Sequence, residues 1–364
     1  METARNGVFQ VETAASSTSQ EQTAMSDGVL KGLSPLINSM RLFGLYFTSK
    51  ARVSTKEQTR RRDICRGLNF ARAYATVLLV TAWLGIVRIV AFFDGTETLG
   101  ANLFTKLAVM LGYVLIVVLQ TTYYVASHTG SLNRVLRQVN FCTTELISQK
   151  YRRRAKVVTF IFWFLFAWNM FHYVYQLLTD EYMYLNNVAL LFRNRIQCKR
   201  CLYVVTAVFS VHQVQIVGTW CFPQAMNFMV MSFLNDQFDR LNAEFRKCIG
   251  DRGEFSGNFE QFRRRHQLIS RLVQEADRFL MFSIGAIVCC QFLAIILVLY
   301  SSIFYRDDTF GLVPESSVFY ITWLCFSVCD LLLATGLAII LHHKASIVSF
   351  SLQLSYVNLV WCRV

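Results

Sequence analysis

Few residues in this sequence have the type and spacing to do chemistry, and most of them lie in apolar stretches. His342 and His343 are adjacent, so on a helix they project about 100° apart and share no face. Cys198 and Cys201 form a Cys-x-x-Cys with no second pair nearby, which leaves zinc short of two ligands. In a loop outside the cell that pair could close a disulfide. Cys289, Cys290, Cys325 and Cys329 fall inside apolar runs, where cysteine acts as a small hydrophobe. No His-Glu-x-x-His, Gly-x-Ser-x-Gly or phosphate-binding Gly-Lys loop occurs. The expectation is a protein that is not an enzyme and needs no cofactor.

Polar side chains within the apolar runs form a clearer pattern. Asn169, His172, Tyr173 and Gln176 recur at i, i+3, i+4 and i+7, one face of a helix. Tyr203, Thr206, Ser210 and Gln213 share another face, and Tyr320, Trp323, Ser327 and Asp330 a third. Polar groups in lipid are costly and turn toward a bundle interior. Three such stripes predict a ligand-binding pocket, because pockets pair apolar walls with a few polar groups. Interhelical hydrogen bonds, worth about 0.6 kcal/mol each, are the competing use of these side chains. Arg88 and Asp330 are charges within spans. Each fits a functional group, a structural ion pair or, for Arg88, a snorkelling side chain.

The elements that must position these residues are long apolar helices. Of 364 residues, 54% are hydrophobic and 16% charged, against roughly 25% charged in soluble domains. The apolar residues come in blocks longer than the ~18 residues that cross a bilayer, without the alternation of a barrel. They predict an all-α, polytopic transmembrane bundle of about six spans, at 73–93, 103–125, 157–178, 202–234, 279–304 and 318–341. Residues 1–32 are polar and read as a disordered tail with no signal peptide. Residues 33–69 read as an amphipathic segment before the first span, 70–341 as the bundle, and 342–364 as a C-terminal half-helix.

The net charge of +13 lies between the spans, which points to lipid and membrane orientation rather than nucleic acid. Lys50, Arg52, Lys56, Arg60, Arg61, Arg62 and Arg66 precede span one, and nine Lys or Arg residues occupy 235–278. The connections after spans one and five are acidic on balance. This alternation puts the N-terminus in the cytoplasm. The connection at 179–201, with Arg193, Arg195, Lys199 and Arg200, runs against it. Spans four and five carry apolar stripes beyond the bilayer, at Phe238, Leu241 and Phe245 and at Leu268, Leu272, Ala276 and Phe279. They predict helical extensions into the cytoplasm over 235–278, broken at Gly250, Gly253 and Gly257.

Four features resemble the insect and arthropod gustatory receptor family. They are the segment from Leu33 to Phe47 with its Phe43-Gly44 pair; the extension with His266, Leu268 and Leu272; Tyr300 near the end of span five; and the Phe350–Leu354 stretch FSLQL. The resemblance covers most of the chain from residue 33. It implies seven spans, an intracellular N-terminus, and a tetrameric, ligand-gated, non-selective cation channel in the plasma membrane. It further implies a small-molecule tastant bound in the outer part of spans one to six, and homo- or hetero-tetramers with other gustatory receptor subunits. The family's last span ends in Thr-Tyr and Gln-Phe signatures. This sequence runs to Val364 with neither, so the pore-lining span is expected to be missing. A receptor coupled to G proteins and a non-conducting truncated receptor are the alternatives. The first is disfavoured by the inside N-terminus and by a single proline, Pro223, within a span.

Overall fold

The computed structural model describes residues 32–47, 60–90, 101–141, 145–179, 199–248, 259–304 and 314–361. Eight helices build this part of the chain: α1 (32–42), α2 (Arg60–Val90), α3 (Ala101–His128), α4 (Ser131–Phe141), α5 (Glu145–Thr179), α6 (Lys199–Lys247), α7 (Phe259–Phe304) and α8 (Pro314–Trp361). Among the described residues there is no strand. The most extensive pairing joins α3 to α7. Helix α6 packs on α3, α5, α7 and α8, α2 lies mainly on α3, and α4 bridges α3 and α7.

Five of these helices, α2, α3, α5, α7 and α8, contain stretches long and apolar enough to cross a membrane. Their outer faces carry exposed apolar side chains such as Trp83, Phe160, Phe164, Phe292, Leu332 and Ile339. Water does not tolerate so wide an apolar surface on a monomer, whereas lipid does. Helix α6 is not among the five over its described residues. From Gln215 onward it is the packed centre, burying Gln215, Thr219, Gln224 and Asn227 against its neighbours, while Val204, Val208 and Val211 before that stretch are exposed. A helix enclosed by other helices can carry polar groups that a lipid-facing helix cannot.

The segment before the first span is a buried wedge. Leu36, Met40 and Leu45 are fully enclosed. Phe43 stacks on Phe222 at 5.2 Å between ring centroids and meets Phe166 at 5.6 Å and Trp163 at 6.2 Å. A helix end inside a bundle must satisfy its last carbonyls. Here Tyr74 donates to the Leu42 carbonyl (2.6 Å), Gln120 to that of Phe43 (3.4 Å) and Ser127 to that of Leu45 (3.1 Å). The turn itself closes with Leu45 N–H on the Met40 carbonyl (2.9 Å) and Gly44 N–H on that of Arg41 (3.1 Å). This paired arrangement requires a left-handed residue after the helix, and Gly44 supplies it at φ 65°.

A Cβ at Gly44 would lie 2.9 Å from Leu78 Cδ1 and 3.1 Å from Ala75 Cα. Left-handed backbone costs an L-residue roughly 1–2 kcal/mol. Gly44→Ala is therefore expected to destabilise the folded protein by about 2 kcal/mol, read as a lower thermal unfolding midpoint in detergent. An unchanged midpoint would mean that this turn is not held as described.

Spans four and five continue as helices beyond the apolar stretch, as the sequence predicts. Phe238 and Leu241 of α6 pack with Ile269 of α7, joined by Phe262, Val273 and Leu341. Phe245 meets Phe262 edge to face at 5.8 Å. One expected stripe residue is corrected: Leu268 is exposed, and Ile269 takes its place in the seam. The segment predicted as a C-terminal helix after span six is helical to Trp361 and runs on from span six as one helix, α8. Ion pairs cluster at this end of the bundle, including Arg134–Glu275 (3.4 Å), Lys344–Asp239 (2.6 Å) and Arg265–Glu244.

Candidate functional site

Two of the predicted stripes meet. The Tyr173 hydroxyl on α5 lies 3.5 Å from Ser210 Oγ on α6, both half-buried. That distance is at the outer limit for two hydroxyls, and each can donate and accept. The pair can therefore close on a third polar group. Asn169 is turned back on its own helix, its amide donating to the Leu165 carbonyl at 2.8 Å. The His172 ring stands edge-on to Trp168 at 4.9 Å, with Phe171 at 6.1 Å. Gln213 is half-buried one turn beyond Ser210. The side chains of Gln176, Tyr203, Thr206, Tyr320 and Trp323 lie outside the described residues, as does that of Arg88.

Near this pair the sequence reading missed His212. A Cβ on Gly85 of α2 would lie 3.0 Å from His212 Nε2 and 3.4 Å from Tyr113 Cε1. A small residue on α2 thus admits a histidine from α6 beside a tyrosine from α3. The signal was legible as a polar residue one position before Gln213, but His212 falls off the stripe that links Tyr203, Thr206 and Ser210.

Ser327 has a different setting. It is fully enclosed, and its hydroxyl has no hydrogen-bond partner among the described residues. One turn further along α8, Asp330 is also buried, and its Oδ2 accepts from Gln291 Nε2 of α7 at 3.3 Å. Gln224 of α6 completes the polar surround. Asp330 thus lies in an amide-lined site at the junction of α6, α7 and α8.

A second buried polar layer joins α3, α6 and α7. The Tyr123 hydroxyl lies 2.6 Å from Asn227 Oδ1 and 3.0 Å from the Pro223 carbonyl, and donates to one at a time. Ser283 donates toward Asn227 Oδ1 at 3.3 Å. Thr219 donates to Gln120 Oε1 at 2.8 Å, while the Gln120 amide reaches the Phe43 carbonyl. This layer ties the α1 wedge to the bundle centre. Its residues were visible as polar interruptions of apolar spans, but their partners are far apart in sequence.

At the charged end, a groove of about 1260 Å³ opens between α5 and α8 over α6. Asp236 in it accepts from Arg154 (2.7 Å) and Tyr151 (2.7 Å), with Lys150 at 3.5 Å. Burial works against its charge. The Tyr151 hydrogen bond and the Arg154 and Lys150 cations outweigh it and hold the carboxyl below the usual carboxylate range.

No family model matches the chain, and no curated protein matches it by sequence. Its backbone is similar to that of an insect olfactory receptor from Machilis hrabei, with a TM-score of 0.57 and 12% identity over 89% of each chain. Identity that low speaks for architecture and not for ligand or activity. Long apolar helices, an apolar outer surface and this likeness lead to one conclusion: the chain is a multi-pass, all-helical membrane protein with the fold of an insect olfactory receptor.

Proposed function

We propose that the chain is a chemosensory receptor of the gustatory kind, a subunit of a ligand-gated, non-selective cation channel in the plasma membrane. The fold shared with an insect olfactory receptor over 89% of both chains carries this reading. The basic residues gathered at one end of the bundle support a cytoplasmic N-terminus, since Lys and Arg accumulate on the inner side. The features quoted for the gustatory family favour a tastant as ligand and a tetramer as the working assembly. Its ligand sits between α5 and α6, where Tyr173 and Ser210 face each other.

The test is expression in cultured cells, alone and with other gustatory receptor subunits, with currents recorded during application of a tastant panel. Tastant-evoked cation currents that persist when G proteins are blocked are expected. Responses abolished by that block, or an N-terminal tag reachable from outside intact cells, would overturn the reading.

Tyr173→Ala removes the ring and hydroxyl that face Ser210. It is expected to raise the half-maximal tastant concentration about tenfold, the size of one lost charge-free hydrogen bond, at unchanged surface expression. Tyr173→Phe should retain part of the response. Loss of surface protein in parallel with response would assign Tyr173 to packing instead.

A further inference from the structure

The groove between α5 and α8 is divided along its length. At one end stand Lys150, Arg152, Arg153, Arg154, Lys156 and Lys344; at the other, Val157, Ile161, Phe228, Leu337 and Ile340. From Arg153 to Ile161 the α5 backbone rises about 12 Å, so the two ends are separated along the bundle axis. Asp236 is occupied by Arg154 and Lys150, and Lys344 by Asp239. Arg152, Arg153 and Lys156 make no ion pair among the described residues, and all three are exposed. Val157, Ile161 and Ile340 are exposed too, on helices that carry the apolar outer surface of the bundle. The groove therefore has uncompensated positive charge at the membrane edge and an apolar trough leading away from it.

We propose that this groove binds one anionic phospholipid of the cytoplasmic leaflet, with its phosphate headgroup among Arg152, Arg153 and Lys156 and an acyl chain along Val157, Ile161, Leu337 and Ile340. The proposal uses the membrane orientation argued above and is independent of the ligand or conduction. Three features favour a lipid over other anions. A soluble phosphate would meet the cations and leave the apolar trough empty. The volume exceeds the roughly 300–1,000 Å³ of small-molecule pockets. Basic clusters just inside the membrane attract anionic headgroups at about 1 kcal/mol per Lys or Arg. The occupant would also bridge α5 and α8, which each pack extensively on α6.

The experiment measures binding of three probes to the purified full chain in a neutral detergent: dioctanoyl phosphatidylinositol phosphate, its water-soluble inositol phosphate headgroup, and dioctanoyl phosphatidylcholine. The anionic lipid is expected to bind at least tenfold more tightly than either the headgroup or the neutral lipid. Replacing the three exposed cations together, Arg152→Gln, Arg153→Gln and Lys156→Gln, should weaken it on the order of a hundredfold, roughly fivefold for each contact. Ile161→Trp, which fills the trough, should weaken the lipid and leave headgroup binding unchanged. If that variant does not fold, the surface triple variant, checked by its thermal midpoint, decides alone. Equal binding of headgroup and lipid would make this a soluble-anion site. Equal binding of the neutral lipid, or an unaffected triple variant, would likewise overturn the proposal. Any of these failures alongside intact tastant currents would leave the receptor reading untouched.

Discussion

Phe43→Ala is expected to cost about 3 kcal/mol of stability, within the range of buried Phe-to-Ala truncations. The ring is 3% exposed and touches Phe222, Phe166 and Trp163, three partners on the two helices that flank the wedge. Lipid tails are as apolar as the bundle interior, so the loss is one of packing rather than of transfer from water. The same ring explains why residue 218 is glycine. A Cβ there would overlap Phe43 Cδ1 and Cε1, closer than non-bonded carbons approach. Gly-to-Ala in a helix gains roughly 1 kcal/mol of propensity, while overpacking a tight core costs 1–3 kcal/mol. With so severe an overlap the clash wins, and Gly218→Ala is expected to be destabilising by about 2 kcal/mol.

The two changes must then couple. In the Phe43→Ala background the new methyl at residue 218 enters vacated space and its helix propensity counts in favour. The double variant should be more stable than the sum of the singles predicts, by at least about 1 kcal/mol. Thermal unfolding of the four proteins in detergent measures this. Strict additivity would show that Phe43 and Gly218 are not in contact.

The elements that face lipid were legible in the sequence, because a bilayer imposes a long run of apolar residues that nothing else requires. The helical extensions of α6 and α7 were legible too, from the 3.6-residue period. The error at Leu268 shows how that reading fails. Leu268, Leu272 and Ala276 are spaced by four, so the stripe drifts about 40° at each step. Ile269 lies seven residues before Ala276, almost on the same line, and that residue enters the seam. The wedge was only partly legible. Leu36, Met40 and Phe43 mark an amphipathic helix, but Tyr74, Gln120 and Ser127, which satisfy its buried carbonyls, come from two other helices. The polar stripes named the pair Tyr173 and Ser210, yet a stripe gives a helix face and not a neighbour. Ser327 and Asp330, predicted on one face of span six, are both enclosed one turn apart on α8.

Gln120 makes the larger claim on stability among the buried polar groups. It is fully enclosed, accepts from Thr219 at 2.8 Å and donates to the Phe43 carbonyl at the end of α1. Interhelical hydrogen bonds in membranes contribute only about 0.6 kcal/mol on average, so two bonds made and two lost would be a small matter. The asymmetry lies in what remains. Gln120→Leu leaves the Thr219 hydroxyl and the Phe43 carbonyl buried without these partners, at about 1–3 kcal/mol for each orphaned group. The expected loss is therefore roughly 3 kcal/mol, well above the average bond. Thr219→Val placed on top of Gln120→Leu removes one orphan at nearly constant shape and should recover about 1 kcal/mol. The same Thr219→Val in the native background should instead destabilise, since it orphans Gln120 Oε1. A sign reversal of one substitution between two backgrounds is not produced by a loss of packing, which would make Thr219→Val unfavourable or neutral in both. Its absence would mean that Gln120 and Thr219 do not meet, and would leave the α1 wedge tied to the bundle by its apolar face and by the Tyr74 and Ser127 hydrogen bonds.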